Sequence, residues 1–289
     1  MLKTVWLTEK SDKRTSTAML LGGFDGMHIG HRQLLHIAKK SGLPVGVMTI
    51  VGGKGEKNLF TFSEREEILK NCGADFVFEL PFSEIKDLSA EDFLKILTQE
   101  FSPALFVCGE DFRFGAGALG TAQTLKESAK TEVEILPLVK MDGEKISSRW
   151  IKERLKSGEV EKANTALGER FFLTGIVQED RKVGRTLGFP TANIAYPQEK
   201  FPLKIGVYET RIAVDGVVYK GITNYGARPT FSDETVWTES YLDGFSGNLY
   251  GEELKVEFVR YLREIKKFES AESLKAQLQK DIQEVRKDD

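Results

Sequence analysis

The chain has 289 residues, of which 40% are hydrophobic and 29% are charged, and its formal net charge is −3 at pH 7. These values are typical of a globular protein of about two domains, and the charge excludes electrostatic attraction as the basis for a nucleic-acid or membrane partner. The first ten residues include three charged residues, and no apolar run approaches about 18 residues, so we expect a cytoplasmic protein without a signal peptide or membrane span.

From residue 1 to about 145, short apolar runs alternate with helical patterns. Ser63 to Glu66 fits a capping box at the start of one helix, and Ser89 to Asp92 fits the start of another. Strands that alternate with helices predict an α/β domain with a Rossmann-like, doubly wound parallel sheet, in which ligands bind at the carboxyl ends of the strands. The apolar runs predict strands at Thr4–Leu7, Ala18–Leu21, Val45–Ile50, Phe76–Leu80, Ala104–Cys108 and Val133–Leu136.

A glycine-rich turn joins the second predicted strand to the helix that follows it. Its sequence is Gly22-Gly23-Phe24-Asp25-Gly26-Met27-His28-Ile29-Gly30-His31. Backbone N–H groups at such a turn are free to bind an anion, and the helix dipole adds partial positive charge. The imidazoles of His28 and His31 could donate to a nucleotide α-phosphate, whereas the alternative is two surface histidines at a helix start. Zinc is not expected, because no cysteine or third ligand lies nearby.

Two further polar segments accompany this turn. The segment 109–115 directly follows the strand that ends at Cys108, which places it at the same edge of the sheet. Its two phenylalanines fit a loop that packs over the sheet edge. Ser147 and Ser148 then begin a helical pattern that extends to about residue 160 and runs into an expected domain junction at 161–168.

After Glu169 the pattern becomes that of an all-β domain. Asp215-Gly216 between apolar runs predicts a two-residue hairpin, and antiparallel strands without intervening helices predict a six-stranded β-barrel. Ser270 is the expected N-cap of a closing helix whose apolar stripe packs on the barrel. The strands are predicted at Phe171–Val177, Val207–Val214, Val217–Thr223, Val236–Leu242 and Leu254–Leu262, and the stripe comprises Leu274, Leu278, Ile282 and Val285.

The segment 184–193 reads Gly-Arg-Thr-Leu-Gly-Phe-Pro-Thr-Ala-Asn and carries a second set of candidate ligands. Its glycines permit a tight backbone arch, and Arg185 could face a phosphate. Thr191 and Asn193 present uncharged oxygens at i and i+2 on one side of an extended chain, which suits Mg²⁺ shared with nucleotide phosphates. The alternative is a hairpin with ordinary turn residues.

The motifs of the first domain resemble the signature of the HIGH-type nucleotidyltransferase superfamily. More narrowly, the whole sequence resembles the prokaryotic bifunctional riboflavin kinase/FMN adenylyltransferases, with the segments 22–31, 109–115 and 146–148 in the order of that family's motifs. The resemblance implies an adenylyl-transfer site in which His28 and His31 are catalytic and contact the phosphates. It implies that ATP is bound by Gly22, Gly23, Phe24, Asp25, Gly26, Asp111, Arg113, Ser147, Ser148 and Arg149.

The second domain resembles the riboflavin kinase part of the same family, with the signature GRxLGFPTAN intact. The resemblance implies that Thr191 and Asn193 hold Mg²⁺ and ATP phosphate, and that Glu239 is the catalytic carboxylate. Such a carboxylate orients the ribityl 5′-OH and accepts its proton, because a primary alcohol is a poor nucleophile. The alternative for Glu239 is a solvated strand carboxylate, as expected for Glu257. The implied nucleotide and flavin site comprises Gly184, Arg185, Gly188, Pro190, Thr191, Asn193, Asn224 and Arg228.

Two segments depart from the family pattern. The turn 49–55 lacks the usual proline and aromatic residue, and Arg149-Trp150 stands where the family often has Thr-Arg. The main expectation is an FMN adenylyltransferase domain at 1–163 and a riboflavin kinase domain at 164–289, which use riboflavin, FMN and ATP with Mg²⁺. The alternatives are a riboflavin kinase whose adenylyltransferase domain is weak or silent, and a non-catalytic flavin-binding or regulatory protein.

Overall fold

The computed structural model describes residues 3–6, 16–52, 57–179, 191–227 and 235–287. The chain forms two compact units, Met1–Trp150 and Ile151–Asp289. The first unit contains β1 (Lys3–Trp6), β2 (Thr17–Leu21), α1 (Ile29–Lys40), β3 (Val45–Val51), α2 (Phe62–Cys72), β4 (Phe76–Pro81), α3 (Phe82–Ile85), α4 (Ala90–Phe101), β5 (Pro103–Gly109), β6 (Arg113–Phe114), β7 (Gly120–Thr121), α5 (Ala122–Ser128), β8 (Glu132–Leu136), β9 (Lys140–Met141) and β10 (Glu144–Lys145).

Six strands of the first unit form one sheet in the order β1-β4-β3-β2-β5-β8. Five of these strands, β4, β3, β2, β5 and β8, are parallel to one another. The sixth strand, β1, pairs with β4 in the antiparallel direction at the edge. All five side chains of β2 are buried, as expected for a central parallel strand covered on both faces. The predicted α/β architecture and its strands are therefore confirmed.

The helix starts of the first unit are fixed by side-chain caps, one of which differs from the prediction. Ser89 caps α4 as predicted, since its hydroxyl accepts the N–H of Asp92 at 3.0 Å. The prediction of a capping box at 63–66 is wrong. Thr61 caps α2, and the box is formed with Glu64, whose carboxylate accepts the Thr61 N–H at 2.8 Å. The helix begins at Phe62, so residue 63 already lies within its first turn.

The helical pattern that starts near Ser148 is two helices rather than one. α6 spans Ser148–Ser157, and the division between the two units falls within it. Gly158 has a φ of +87°, a conformation that ends the helix, and α7 (Val160–Leu167) follows. The prediction of one helical segment through residue 160 is therefore wrong, and the segment expected as a junction is occupied by α7.

The second unit is an antiparallel barrel with a terminal helix. After α7 it contains β11 (Phe172–Ile176), β12 (Thr191–Ala195), β13 (Gly206–Val214), β14 (Val217–Ala227), β15 (Val236–Leu242), β16 (Glu253–Arg263) and α8 (Ala271–Arg286). The strand order is β11-β16-β13-β14-β15-β12, and a bridge between Gln178 and Asn193 joins the two ends of this order. The predicted six-stranded barrel is confirmed, with β12 as a strand that the apolar runs did not predict.

The hairpin and the closing helix of the second unit agree with the sequence. Asp215 and Gly216 both have positive φ, 50° and 79°, between the paired residues Val214 and Val217. α8 is capped by Ser270, and its apolar face packs on the barrel in a cluster that includes Val207, Ile222, Ile282 and Val285. Of the helices in the described part of the chain, none combines the length and apolar character that a membrane crossing requires.

Candidate active sites

One cavity of about 400 Å³ lies in the first unit, where the loops that follow β2, β5 and β8 meet. Leu21 at the end of β2 pairs with Cys108 of β5, so the loops at 22–28 and 109–113 are neighbours. The cavity is therefore at the carboxyl ends of parallel strands, where open α/β sheets bind ligands. Its lining includes Gly22, Gly23, Phe24, His28, Gly30, His31, Ile50, Gly109, Asp111, Phe112, Arg113, Pro137, Leu138, Val139, Lys145, Ile146, Ser147, Ser148 and Arg149.

The two histidines form a stacked pair at the start of α1. His28 is the N-cap residue, and its Nδ1 accepts the backbone N–H of His31 at 3.2 Å. The two rings lie parallel within 16°, with centroids 3.6 Å apart. Gly30 permits this packing, because a Cβ at this position would lie 3.2 Å from the His28 ring. The local sequence His-x-Gly-His thus produces the stacked pair.

The hydrogen bonds of the pair fix which nitrogen of each ring carries the proton. Burial, followed by the charges of His31 and Lys145, lowers the pKa of His28 to about 2. Burial lowers the pKa of His31 to about 4, although its bond to Gly26 opposes this shift. Both rings are therefore neutral at pH 7. His28 accepts at Nδ1, so its Nε2 bears the proton, whereas His31 donates from Nδ1 to the Gly26 carbonyl at 2.8 Å, which leaves its Nε2 as an acceptor.

The second motif places one carboxylate and one cation on the cavity wall. Asp111 and Arg113 both line the cavity and are exposed, and Asp111 forms an ion pair with Lys145. Phe112 and Phe114 are buried and stacked with centroids 5.5 Å apart, and both belong to the core cluster of the unit. The prediction that these phenylalanines pack over the sheet edge is confirmed.

The third motif caps α6 beside the cavity. The hydroxyl of Ser147 accepts the N–H of Trp150 at 3.2 Å, and the Ser148 hydroxyl donates to the Asp25 carbonyl at 3.2 Å. Arg149 lines the cavity, whereas Trp150 is buried and donates from its indole to Glu144 at 2.5 Å. The cavity therefore borders the N-terminus of α6, and the backbone N–H groups at a helix N-terminus favour the binding of phosphate.

Two predicted ATP ligands do not line the cavity. The Asp25 carboxylate accepts the backbone N–H of Leu59 at 2.8 Å, which fixes the turn to a neighbouring loop. Gly26 has a φ of +97°, and its carbonyl holds the His31 ring. Both residues shape the turn that carries the histidines.

Sequence reasoning missed several residues of the cavity, of which Lys145 is the one with a charge. Lys145 lies on β10, which pairs with β9 across the two-residue turn Asp142-Gly143. Both turn residues have positive φ, and Asp-Gly between short strands is a hairpin signal that could have placed Lys145 beside the third motif. Ile50 and the segment 137–139 are the other additions to the lining.

In the second unit, three predicted site residues lie side by side on adjacent strands. Asn193 of β12 pairs in register with Glu239 of β15, and Glu239 pairs with Asn224 of β14. Residues paired in this way project from the same face of a sheet. Thr191 pairs with Tyr241, two pairs further along the same two strands, and therefore lies on the same face. The strand register therefore brings together Asn193 and Glu239, which are 46 positions apart in the chain.

The opposite face of these strands is held by buried hydroxyls. Thr223 and Ser240 share a hydrogen bond of 2.8 Å, and Thr223 bonds to Thr210 at 2.8 Å. All three residues are fully buried. Because their neighbours in sequence, Asn224 and Glu239, must point the other way, this chain of hydroxyls fixes the polar row from behind.

Asn193 combines burial with an amide oxygen that is available to bind a ligand. The residue is buried, and its amide nitrogen donates to the Thr191 carbonyl at 3.4 Å. Its Oδ1 has no hydrogen-bond partner among the described residues. A buried, orphaned amide oxygen beside a carboxylate is a suitable donor for a hard cation. Five predicted residues of this site lie outside the described residues: Gly184, Arg185, Gly188, Pro190 and Arg228.

Comparisons with known proteins give the same division of the chain. A family model described as FAD synthetase matches residues 10–150, and one described as riboflavin kinase matches residues 167–288. The bifunctional riboflavin kinase/FMN adenylyltransferase of Bacillus subtilis is 31% identical over 98% of this chain and 97% of its own. The protein of the same name from Escherichia coli K12 is 30% identical over 91% of this chain and 90% of its own.

A solved structure from Streptococcus pneumoniae has the same fold over both units. It bears the name macrolide-efflux protein, is 29% identical, covers 96% of each chain and superposes with a TM-score of 0.87. The two curated relatives each match more than 90% of this chain at 30% identity or more, and the two family models match its two halves. The chain therefore belongs to the family of bifunctional riboflavin kinases/FMN adenylyltransferases.

Proposed function

We propose that this chain converts riboflavin to FAD in two ATP-dependent steps. Residues 164–289 phosphorylate riboflavin to FMN, and residues 1–163 transfer AMP from ATP to FMN with release of pyrophosphate. The observation that carries the proposal is the cavity of the first unit, because three segments distant in sequence, at 22–31, 109–113 and 145–149, line it together. The barrel supports the first step with its row of Asn193, Glu239 and Asn224.

Adenylyl transfer at the cavity needs charge stabilisation rather than a base. The FMN phosphate is ionised at pH 7, since the second pKa of a phosphate monoester is about 6. Its oxygen can attack the α-phosphorus directly, and the bond to pyrophosphate breaks. The Nε2–H of His28 is the donor to the α-phosphate, together with the N-terminal N–H groups of α1. His31 holds the His28 ring in place by stacking and by its bond to Gly26.

Phosphoryl transfer at the barrel needs an activated alcohol. Glu239 accepts a hydrogen bond from the ribityl 5′-OH, orients it toward the γ-phosphorus and takes its proton. The orphaned Oδ1 of Asn193 and the hydroxyl of Thr191 fit a divalent metal, which we assign as Mg²⁺. When bound, Mg²⁺ neutralises charge on the ATP phosphates. Asn224 lies next to Glu239 and completes the polar face toward substrate.

Flavin chromatography tests both steps in one reaction. Purified chain is incubated with riboflavin, ATP and Mg²⁺, and the expected product is FAD by way of FMN. Accumulation of FMN alone would favour a kinase with a silent adenylyltransferase, and unchanged riboflavin would contradict both steps.

Single substitutions assign the steps to the two sites. Glu239→Gln should abolish FMN formation and leave FMN-to-FAD conversion intact. His28→Ala should do the reverse, with a loss of about 10²–10³-fold for one transition-state donor. Glu257→Gln is the matched control on the barrel, because its carboxylate pairs with exposed Arg170 at 3.0 Å and has no role in the proposed reaction. Equal loss of both activities in either site variant would contradict two separate sites.

A further inference from the structure

Lys145 is a cation on the wall of the cavity to which the proposed mechanism assigns no role. It lies on β10 directly before the third motif, and its ammonium pairs with the Asp111 carboxylate of the second motif. Its cross-strand partner on β9 is Lys140, which is exposed and is not part of the cavity lining. The hairpin thus carries two lysines, of which one points its charge into the site.

The charge balance of the cavity indicates what Lys145 does there. His28 and His31 are both neutral at pH 7, so they supply hydrogen bonds but no net charge. Lys145 lines the same cavity as the two histidines, and its positive charge contributes to the lowered pKa of both imidazoles. ATP brings about four negative charges, and hydrogen bonds from ionised donors are roughly twice as strong as neutral ones.

The histidines and Lys145 differ in how far they are exposed to solvent. His28 is only 8% exposed, whereas the side chains of Lys145 and Asp111 are 41% and 47% exposed. The ion pair therefore lies nearer to solvent than the histidines. An ion pair this exposed contributes little to stability, so its cation can exchange a carboxylate for a phosphate without a large penalty.

We propose that Lys145 binds the pyrophosphate portion of ATP in the adenylyltransferase site, and that Asp111 is its partner when the site is empty. The proposal rests on the adenylyl-transfer function above and adds a substrate-binding residue to it. His28 holds the phosphate that is transferred, and Lys145 holds the two phosphates that leave. Loss of Lys145 then weakens the binding of pyrophosphate but not of the flavin.

The reverse reaction separates these two effects, because FAD and pyrophosphate give FMN and ATP without any use of the kinase site. Lys145→Met should raise the KM for pyrophosphate by about 10-fold or more and leave the KM for FAD within about 3-fold. Lys145→Arg should restore most of the pyrophosphate affinity, since it keeps the charge. Lys140→Met removes the same charge from the neighbouring strand and should change neither KM.

The outcomes also separate this proposal from the function on which it rests. Parent chain that cannot convert FAD and pyrophosphate to ATP would overturn both. Active parent with an unchanged KM for pyrophosphate in Lys145→Met would overturn only the role of Lys145. Equal increases in both KM values, or no rescue by Lys145→Arg, would show that the residue is merely structural. Riboflavin kinase activity of each variant checks that the chain is folded.

Discussion

The buried histidine pair predicts that the first unit loses stability as the pH falls below about 6.5. In the unfolded chain both imidazoles titrate near pH 6.5. In the folded chain burial holds the pKa of His28 at about 2 and that of His31 at about 4. Below pH 6.5 the unfolded chain therefore binds more protons than the folded one. Stability that is present above pH 6.5 is lost as the pH falls toward the folded values.

The size of the loss follows from the two pKa values. Each histidine contributes 1.36 kcal/mol for every pH unit below 6.5 until its folded pKa is reached. Between pH 7.5 and pH 5.5 this is about 1 kcal/mol for each ring and about 2–3 kcal/mol for the pair. Glu159 and Asp243 have lowered pKa values because of hydrogen bonds to Lys162 and Arg286 respectively. Their unfolded values lie near 4, so they add little in this window.

Native-state hydrogen exchange at pH 7.5, 6.5 and 5.5 measures this loss for the first unit alone. The amides of β2 and β5 report its unfolding free energy, after correction for the intrinsic exchange rate. The matched variant is His28→Asn/His31→Asn, because asparagine keeps an N-cap acceptor at position 28. Its free energy should change little over this range, while His36→Asn, at an exposed position of α1, should behave as the parent. An equal pH dependence in the parent and the double variant would refute the reasoning.

Three further changes test the packing and the polar row. Gly30→Ala places a Cβ 3.2 Å from the His28 ring, so FAD formation should fall by about 10-fold while FMN formation from riboflavin is unchanged in the same chromatographic assay. Arg263 of β16 and Asp281 of α8 form a largely buried ion pair at 2.6 Å, and Asp281→Ala leaves the Arg263 guanidinium without this carboxylate. Urea unfolding of the second unit should show that the free energy of unfolding falls by about 3 kcal/mol. Asn193→Ala removes an oxygen that bonds to no described residue, so the free energy of unfolding should change little. Titration of kinase activity with Mg²⁺ should show that the variant requires about 10-fold more of the metal. An unchanged Mg²⁺ requirement would contradict the metal assignment.

Local patterns were sufficient to predict most of the elements of both units. Continuous apolar runs predicted the buried parallel strands, because such strands are covered on both faces. Asp215-Gly216 predicted its hairpin, because the turn needs two residues that tolerate positive φ. Position 61 shows the limit of this reasoning: Thr61 and Ser63 are both good caps, and the choice between them depends on where the chain enters the helix.

Long-range contacts account for what the sequence could not predict. The ion pair of Lys145 and Asp111 joins residues that are 34 positions apart, and no periodicity links them. The row of Asn193, Glu239 and Asn224 likewise depends on strand register, which is set by the pairing of whole strands rather than by any one segment. The resemblance to the family indicated which residues belong to the site, whereas the strand register shows that Asn193, Glu239 and Asn224 are neighbours.

The altered order Arg149-Trp150 bears on whether the first unit keeps its adenylyltransferase site. Trp150 is directed away from the cavity by its bond to Glu144, and its backbone N–H is held by Ser147, so the bulky side chain does not compete with a nucleotide. Arg149 lines the cavity, so the changed order still places a basic side chain on its wall. The altered order therefore removes neither the serine cap of α6 nor the basic residue on the cavity wall. If this chain makes FMN but little FAD, the defect should therefore appear in the KM for FMN rather than in the KM for ATP.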